Sequence, residues 1–141
     1  SNNYWNHDVE DNALAIMRSG KGVVATLHST ATEWRHRFRL EIGLEKGSII
    51  LSGLLTSTKS YGAETITVAY ASEDDMGNPI EKTTHYNKDD SWENEIYNFI
   101  KAIKNDTKIK YGSSSEAKKT MEIVYNIYKA DKNWSSKYNI I

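Results

Sequence analysis

Hydrophobic and polar positions alternate with a period of two in several segments of the first ninety residues, and beyond them recur every three or four residues. The first regime predicts strands and the second predicts helices. The clearest alternation spans residues 38–51. Phe38, Leu40 and Ile42 fall on one side, while Arg37, Arg39 and Glu41 fall on the other. Glu45-Lys46-Gly47 supplies a turn, and a second strand runs from Gly47 to Leu51. This hairpin belongs to a sheet with two distinct faces.

An earlier hairpin is predicted from an apolar run at residues 12–18, the turn Ser19-Gly20-Lys21-Gly22 and a β-branched run at residues 23–30. Glycine accepts the positive φ that tight turns demand. In the second of these strands Val23, Ala25 and Leu27 point one way, and Val24, Thr26, His28 and Thr30 the other. Residues 64–71 alternate again, with Ile66, Val68 and Tyr70 set against Thr65, Thr67 and Ala69. An exposed turn at Asp74-Asp75-Met76-Gly77-Asn78-Pro79 separates them from a partner strand at residues 81–87.

Helical spacing begins after Asp90-Ser91-Trp92-Glu93, which offers an N-cap and an early acidic residue. Trp92, Ile96, Phe99, Ile100 and Ile103 make one apolar stripe, and the helix is expected to stop near Asn105-Asp106. Ser113-Ser114-Ser115-Glu116 has the form of a capping box. The helix it opens carries Ala117, Met121, Val124, Tyr125 and Tyr128 on its stripe, widened by Ile123 and Ile127. The tail from Asp131 onward holds Trp134, Tyr138, Ile140 and Ile141 without a period, so it is frayed or docked.

Strands first and helices last predict an α+β domain: an open, mostly antiparallel sheet with two C-terminal helices packed on one face. The uncovered face, with residues such as Val24, Thr26, His28, Thr30, Arg37, Arg39 and Glu41, is a natural place for another subunit. At 141 residues a single domain with its own core is expected. A net charge of -1 argues against nucleic acid, which needs a basic footprint, and against an electrostatic membrane anchor. Without cysteine, neither a disulfide framework nor a thiolate site can form. No apolar run reaches the roughly 18 residues of a membrane helix, no secretory signal is visible, and a cytoplasmic location is expected.

Candidate chemistry is sparse. No G-x-G-x-x-G opens a helix, and there is no Walker loop. Gly20-Lys21-Gly22 and Lys46-Gly47-Ser48 lie between strands, where no helix N-terminus adds its dipole, so both read as hairpin turns. His7, His28, His36 and His85 have no partner at metal-binding helical spacing; no metal site is expected. The serines fall at turns and caps, and the Asp74-Asp75 turn does not follow a calcium-loop pattern. The patch that stands out is Glu33-Trp34-Arg35-His36-Arg37. Arginine binds carboxylate or phosphate in bidentate fashion, and an indole stacks on a sugar or base. Trp34, Arg35 and His36 are therefore the substrate-binding candidates, for an anionic sugar or nucleotide sugar. The alternative is a solvated segment leading into a strand, with Glu33 paired locally.

Several segments, in order, carry a resemblance. Val9-Glu10-Asp11-Asn12-Ala13 precedes the strand Gly22-Val23-Val24-Ala25-Thr26-Leu27-His28-Ser29, which matches a G-x-x-A-x-L-x-S pattern. Leu40-Glu41-Ile42 with Glu45-Lys46-Gly47-Ser48 is similar to L-E-I-x-G-T-K-G-S, departing from it at Gly43-Leu44-Glu45. Glu95, Phe99-Ile100 and Ala102-Ile103 look like a penultimate helix. Glu116-Ala117, Met121, Glu122, Val124 and Ile127-Tyr128 look like the last helix. The set resembles the C-terminal domain of the Gfo/Idh/MocA (glucose-fructose oxidoreductase and inositol dehydrogenase-like) oxidoreductases and covers nearly the whole chain.

The resemblance implies a C-terminal substrate-binding and oligomerisation domain. Its parent would bind NAD or NADP in its own N-terminal Rossmann domain, and a sugar, nucleotide sugar or inositol-like substrate between the domains. The open sheet would build a homo-oligomer. The family's Glu-Lys-Pro motif is not matched by Glu45-Lys46-Gly47, and its G-G-x-x-x-D-x-x-x-H-like segment does not occur. No catalytic or cofactor-binding residue is carried over, no cofactor is expected within this fragment, and the fragment alone is expected to be inactive. Two other readings stay open: a standalone carbohydrate-binding or protein-interaction module, and a purely architectural dimerisation domain.

Overall fold

The computed structural model describes residues 1–56, 58, 60–73 and 77–140. These form the strands β1 (Asn12–Arg18), β2 (Val24–Thr30), β3 (Arg39–Leu44), β4 (Gly47–Ser52), β5 (Glu64–Tyr70) and β6 (Glu81–Tyr86). Three helices follow: α1 (Ser91–Lys104), α2 (Ser114–Ala130) and α3 (Lys132–Lys137). The class is α+β with open antiparallel sheets, as the strand-then-helix order requires. The strands are divided between a two-stranded sheet, β1-β2, and a four-stranded sheet in the order β3-β4-β5-β6. Of the turn expected at residues 74–79, Asp74, Asp75 and Met76 lie outside the described residues, as does Ile141 of the tail.

The chain forms two compact units: Ser1–Ala31 with Glu93–Ile141, and Thr32–Trp92. In the first, β1 and β2 pair from Asn12↔Thr30 to Arg18↔Val24. Gly22, at φ +88°, turns the chain, and the Ser19 N–H donates to the Val23 carbonyl at 2.8 Å. The register places Leu14 opposite His28 and Ile16 opposite Thr26. The face expected to be polar therefore carries two large aliphatic groups, 75% and 79% exposed.

Helix α1 ends where the sequence says it should. The N–H of Thr107 donates to Ala102 O at 3.0 Å, and Asp106 takes the left-handed conformation at φ +48°. This is a Schellman-type stop with aspartate at the position glycine usually holds. Helix α2 opens on the expected capping box. The Glu116 N–H donates to Ser113 Oγ at 3.3 Å, and the Ser113 N–H donates to Glu116 Oε2 at 2.9 Å. The tail is docked, not frayed. Asp131 caps α3 by accepting from the Trp134 N–H at 3.0 Å, and the Trp134 and Tyr138 rings lie 4.5 Å apart.

In the second unit a period of two and one consistent register sort the side chains across all four strands. Leu40, Leu51, Ile66 and Thr84 align in one row, and Ile42, Ile49, Val68 and Lys82 in the next. The other face carries Arg39, Ser52, Thr65 and His85 in one row, and Glu41, Ile50, Thr67 and Thr83 in another. One face is thus apolar apart from its β6 edge, and the other is polar apart from Ile50 and Ala69. Thr67 and Thr83 share a hydroxyl hydrogen bond of 2.8 Å across the polar face. The middle-strand residues Ile49, Leu51, Ile66 and Val68 are half-buried, whereas Leu40, Ile42 and Leu44 on β3 are exposed.

Two glycines hold this sheet's corners. A Cβ on Gly47, at φ +153°, would lie 2.0 Å from the Ala69 carbonyl oxygen. One on Gly53, at φ +73°, would lie 2.0 Å from the Ala63 carbonyl oxygen. Gly47 is thus required by strand packing, in keeping with the turn reading of Lys46-Gly47-Ser48. Gly53→Ala is expected to destabilise the second unit by about 3 kcal/mol in urea unfolding, from steric overlap plus left-handed strain. Gly43→Ala, in open space on β3, should change stability by less than about 1 kcal/mol. Equal effects at the two positions would contradict the sheet geometry.

Candidate functional site

The three candidate residues stand in the connection between β2 and β3, at the start of the second unit. The chain there is neither helix nor strand. Trp34 is fully exposed, and Arg35, His36 and Arg37 are exposed beside it. Only the imidazole of His36 meets another ring among the described residues: Tyr61, at a centroid distance of 5.1 Å and an interplanar angle of 44°. Tyr61 comes from the β4–β5 connection, where Gly62 at φ +80° turns the chain back. Sequence spacing could not bring these two rings together, because nothing local links the two loops.

What this loop presents is an open surface: an indole face, the guanidinium groups of Arg35 and Arg37, and an imidazole against a phenol. An indole can stack on the C–H face of a sugar ring, and a guanidinium can take a carboxylate or phosphate. Close by on β3, Arg39 is engaged by Glu41 in an ion pair on the polar face. Arg35 and Arg37 are the guanidinium groups the connection offers outward. His85 lies in the same cross-strand row as Arg39, as a sheet histidine. His28 is also a sheet histidine, its Nε2 3.1 Å from Asn12 Oδ1 on the neighbouring strand. Among the described residues no three His, Cys, Asp or Glu side chains group to hold a metal ion.

The two glycine-lysine turns are occupied structurally. Gly20, Lys21 and Gly22 close the β1–β2 hairpin, and Gly47 is filled by its neighbouring strand. Neither presents a helix N-terminus to a pyrophosphate.

The first unit contains a concave feature and an anchor beside it. A cleft of about 650 Å³ lies between β1 and α2, lined by residues 14–18 on one side and by Ile123, Asn126, Ile127, Ala130 and Asp131 on the other. Next to β1, Asp11 is only 6% exposed. Its carboxylate accepts from the N–H groups of Tyr4 at 2.7 Å and Trp5 at 3.3 Å, and from Ser1 Oγ at 3.1 Å. Burial pushes this carboxyl up, but the hydrogen bonds outweigh it and hold Asp11 below the usual value of 3.8. Tyr128 of α2 donates to Glu10 Oε1 at 2.6 Å. That bond first, then desolvation and the charge of Glu10, push the phenol up to about 12. Asn2 Nδ2 donates to Tyr138 OH at 3.1 Å. The N-terminal segment is thus tied to the helical tail, a constellation that sequence spacing could not assemble from residues over a hundred positions apart.

These ties have opposite pH signatures. The Asp11 contribution is present above pH 3.8 and lost as pH falls through the lowered value. The Tyr128 contribution is present below the ordinary phenol value of 10 and lost as pH rises toward about 12. Tyr128→Phe is expected to cost about 1 kcal/mol at neutral pH, since the bond is charge-assisted but partly exposed. It should also remove the alkaline part of the stability profile and leave the acid part. An unchanged alkaline limb would refute the Tyr128–Glu10 assignment.

No helix among the described residues is long and apolar enough to cross a membrane. Comparison of the chain with protein-family models, with curated proteins and with solved structures returns no match.

Proposed function

We propose that this chain is the C-terminal substrate-binding and oligomerisation domain of an NAD(P)-dependent oxidoreductase acting on a sugar, nucleotide sugar or inositol-like substrate. The observation that carries the reading is the β3–β6 sheet: open, regular in register, apolar on one face and polar on the other. Such a sheet is a platform, with one face suited to packing and the other to water or a subunit. The ordered resemblance to the Gfo/Idh/MocA C-terminal domain supports the same role. In this reading the dinucleotide sits on a separate Rossmann domain, which supplies hydride acceptance. This chain contributes recognition: Trp34 stacks on the sugar, Arg35 takes its anionic group, and His36, held against Tyr61, offers a hydrogen bond.

The full exposure of Trp34 favours one competing reading, a carbohydrate-binding module that needs no second domain. Two titrations separate them. The chain alone should show no saturable binding of NAD(H) or NADP(H), and joining it to its Rossmann domain should restore binding. In that joined enzyme, Trp34→Ala or Arg35→Ala should raise KM at least tenfold with kcat within about twofold, as expected when a group binds ground and transition states alike. Tight dinucleotide binding by the chain alone would overturn the proposal. Glycan affinity of the isolated chain, abolished by Trp34→Ala, would establish the module instead. Unchanged turnover in both variants would leave only an architectural role.

A further inference from the structure

The cleft beside β1 has an unusual wall. Side chains of a strand alternate between two faces, so a cleft over one face is lined by every second residue. Here five consecutive residues, Leu14, Ala15, Ile16, Met17 and Arg18, line it. That pattern marks a groove running along the strand's edge. β1 pairs with β2 alone, so its other edge has no strand partner among the described residues.

The hydrogen-bond alternation tells which backbone groups that edge presents. Ser19 N–H to Val23 O and Ala31 N–H to Asp11 O, both 2.8 Å, fix the bonded pairs at the two ends of the hairpin. Counting by two from either end, the N–H and C=O groups of Asn12, Leu14, Ile16 and Arg18 point away from β2. At Asn12 this outer edge is already in use. Asn12 N–H donates to Ser1 O at 3.3 Å, and the Ser1 amino group donates to Asn12 O at 2.6 Å. Ser1 O also accepts from the Asp11 N–H at 2.8 Å, so the exchange with Asn12 has the form of an antiparallel bonded pair in which one acceptor is shared. Ser1 thus stands at the outer edge of β1, two residues before the stretch of β1 that lines the groove.

We propose that the groove between β1 and α2 is a strand-accepting site, and that its occupant is an extended polypeptide segment carried on the amino side of Ser1. It runs antiparallel to β1 and makes the two-stranded sheet three-stranded. An amide N–H at Ser1 makes the same bond to Asn12 that the amino group makes. In the register set by Ser1↔Asn12, the second, fourth and sixth residues ahead of Ser1 fall opposite Leu14, Ile16 and Arg18. Ile123, Ile127 and Ala130 of α2 form an apolar wall for alternate side chains of this strand. Arg18 at the far end suits an acidic residue opposite it, since opposite charges across a ladder stabilise it. Strand addition of this kind draws its affinity from the main chain and its selectivity from the flanking wall. The occupant rests on the proposed reading in which polypeptide leads into this domain; the groove does not.

The test uses the whole chain extended at Ser1 by six residues, Glu-Thr-Val-Thr-Val-Thr, and measures amide hydrogen exchange by NMR. The expected result is at least tenfold slower exchange at Leu14, Ile16 and Arg18, with no change at Ala15 and Met17, which already bond to β2. Two controls should abolish the slowing: proline at the second and fourth positions ahead of Ser1, and Ala130→Trp, which fills the groove. Unchanged exchange at Leu14, Ile16 and Arg18 would overturn the proposal. So would slowing that Ala130→Trp leaves intact, or slowing accompanied by dimerisation in sedimentation, which would place the strand between two copies. Dinucleotide binding is not part of this readout, so the groove can stand or fall apart from the oxidoreductase reading.

Discussion

The register of the four-stranded sheet is the constraint on which the rest depends. Side chains alternate with a period of two, so a slip of one residue would send every apolar group to the polar face. The observed pairing keeps Leu40, Leu51 and Ile66 in one row and Ile42, Ile49 and Val68 in the next. Gly47 and Gly53 help to hold it, because the carbonyls of Ala69 and Ala63 leave no room there for a Cβ. From this register follow the apolar face, the polar face with Arg39 and His85, and the loop ends that present Trp34, Arg35 and His36.

The first unit is organised by a different device. A two-stranded hairpin is marginal alone. Here Asp11 gathers backbone N–H groups of the N-terminal segment, Tyr128 reaches Glu10, and Tyr138 receives Asn2. The anchor brings Ser1 to the outer edge of β1, near the groove that β1 and α2 line between them. Each unit therefore leaves something to be completed: an apolar sheet face in one, a strand edge in the other. The proposal that this chain is one part of a larger enzyme accounts for both.

Much of this was legible in the sequence. The apolar run at residues 12–18 and the alternation along residues 23–30, 38–51 and 64–71 announced strands of a single open sheet, where the structure has two, and Ser113 with Glu116 announced the start of α2. The Asn105-Asp106 stop was readable from residue type. Other features were not. The division into two sheets depends on long-range pairing that periodicity does not encode. Leu14 and Ile16 share a face with His28 and Thr26 because cross-strand pairing, not the pattern of either strand alone, decides which residues meet. The six residues of α3 are too few for a period, though Asp131 three positions before Trp134 was a cap signal. The contact of His36 with Tyr61 and the Asp11 anchor join loops distant in sequence. Trp34 and Arg35 were singled out by residue type alone, and the structure places them on an open surface, not in a cavity.

The chain has no cysteine, so cross-strand crosslinking tests the register without interference. Thr67 and Thr83 face each other on the polar side, with hydroxyls 2.8 Å apart. Thr67→Cys combined with Thr83→Cys is predicted to form an intramolecular disulfide readily under mild oxidation. Thr67→Cys combined with Thr84→Cys is predicted to remain reduced, because Thr84 belongs to the opposite face. Efficient crosslinking of the Thr84 pair, with none in the Thr83 pair, would show the sheet shifted by one residue and contradict the two-faced platform.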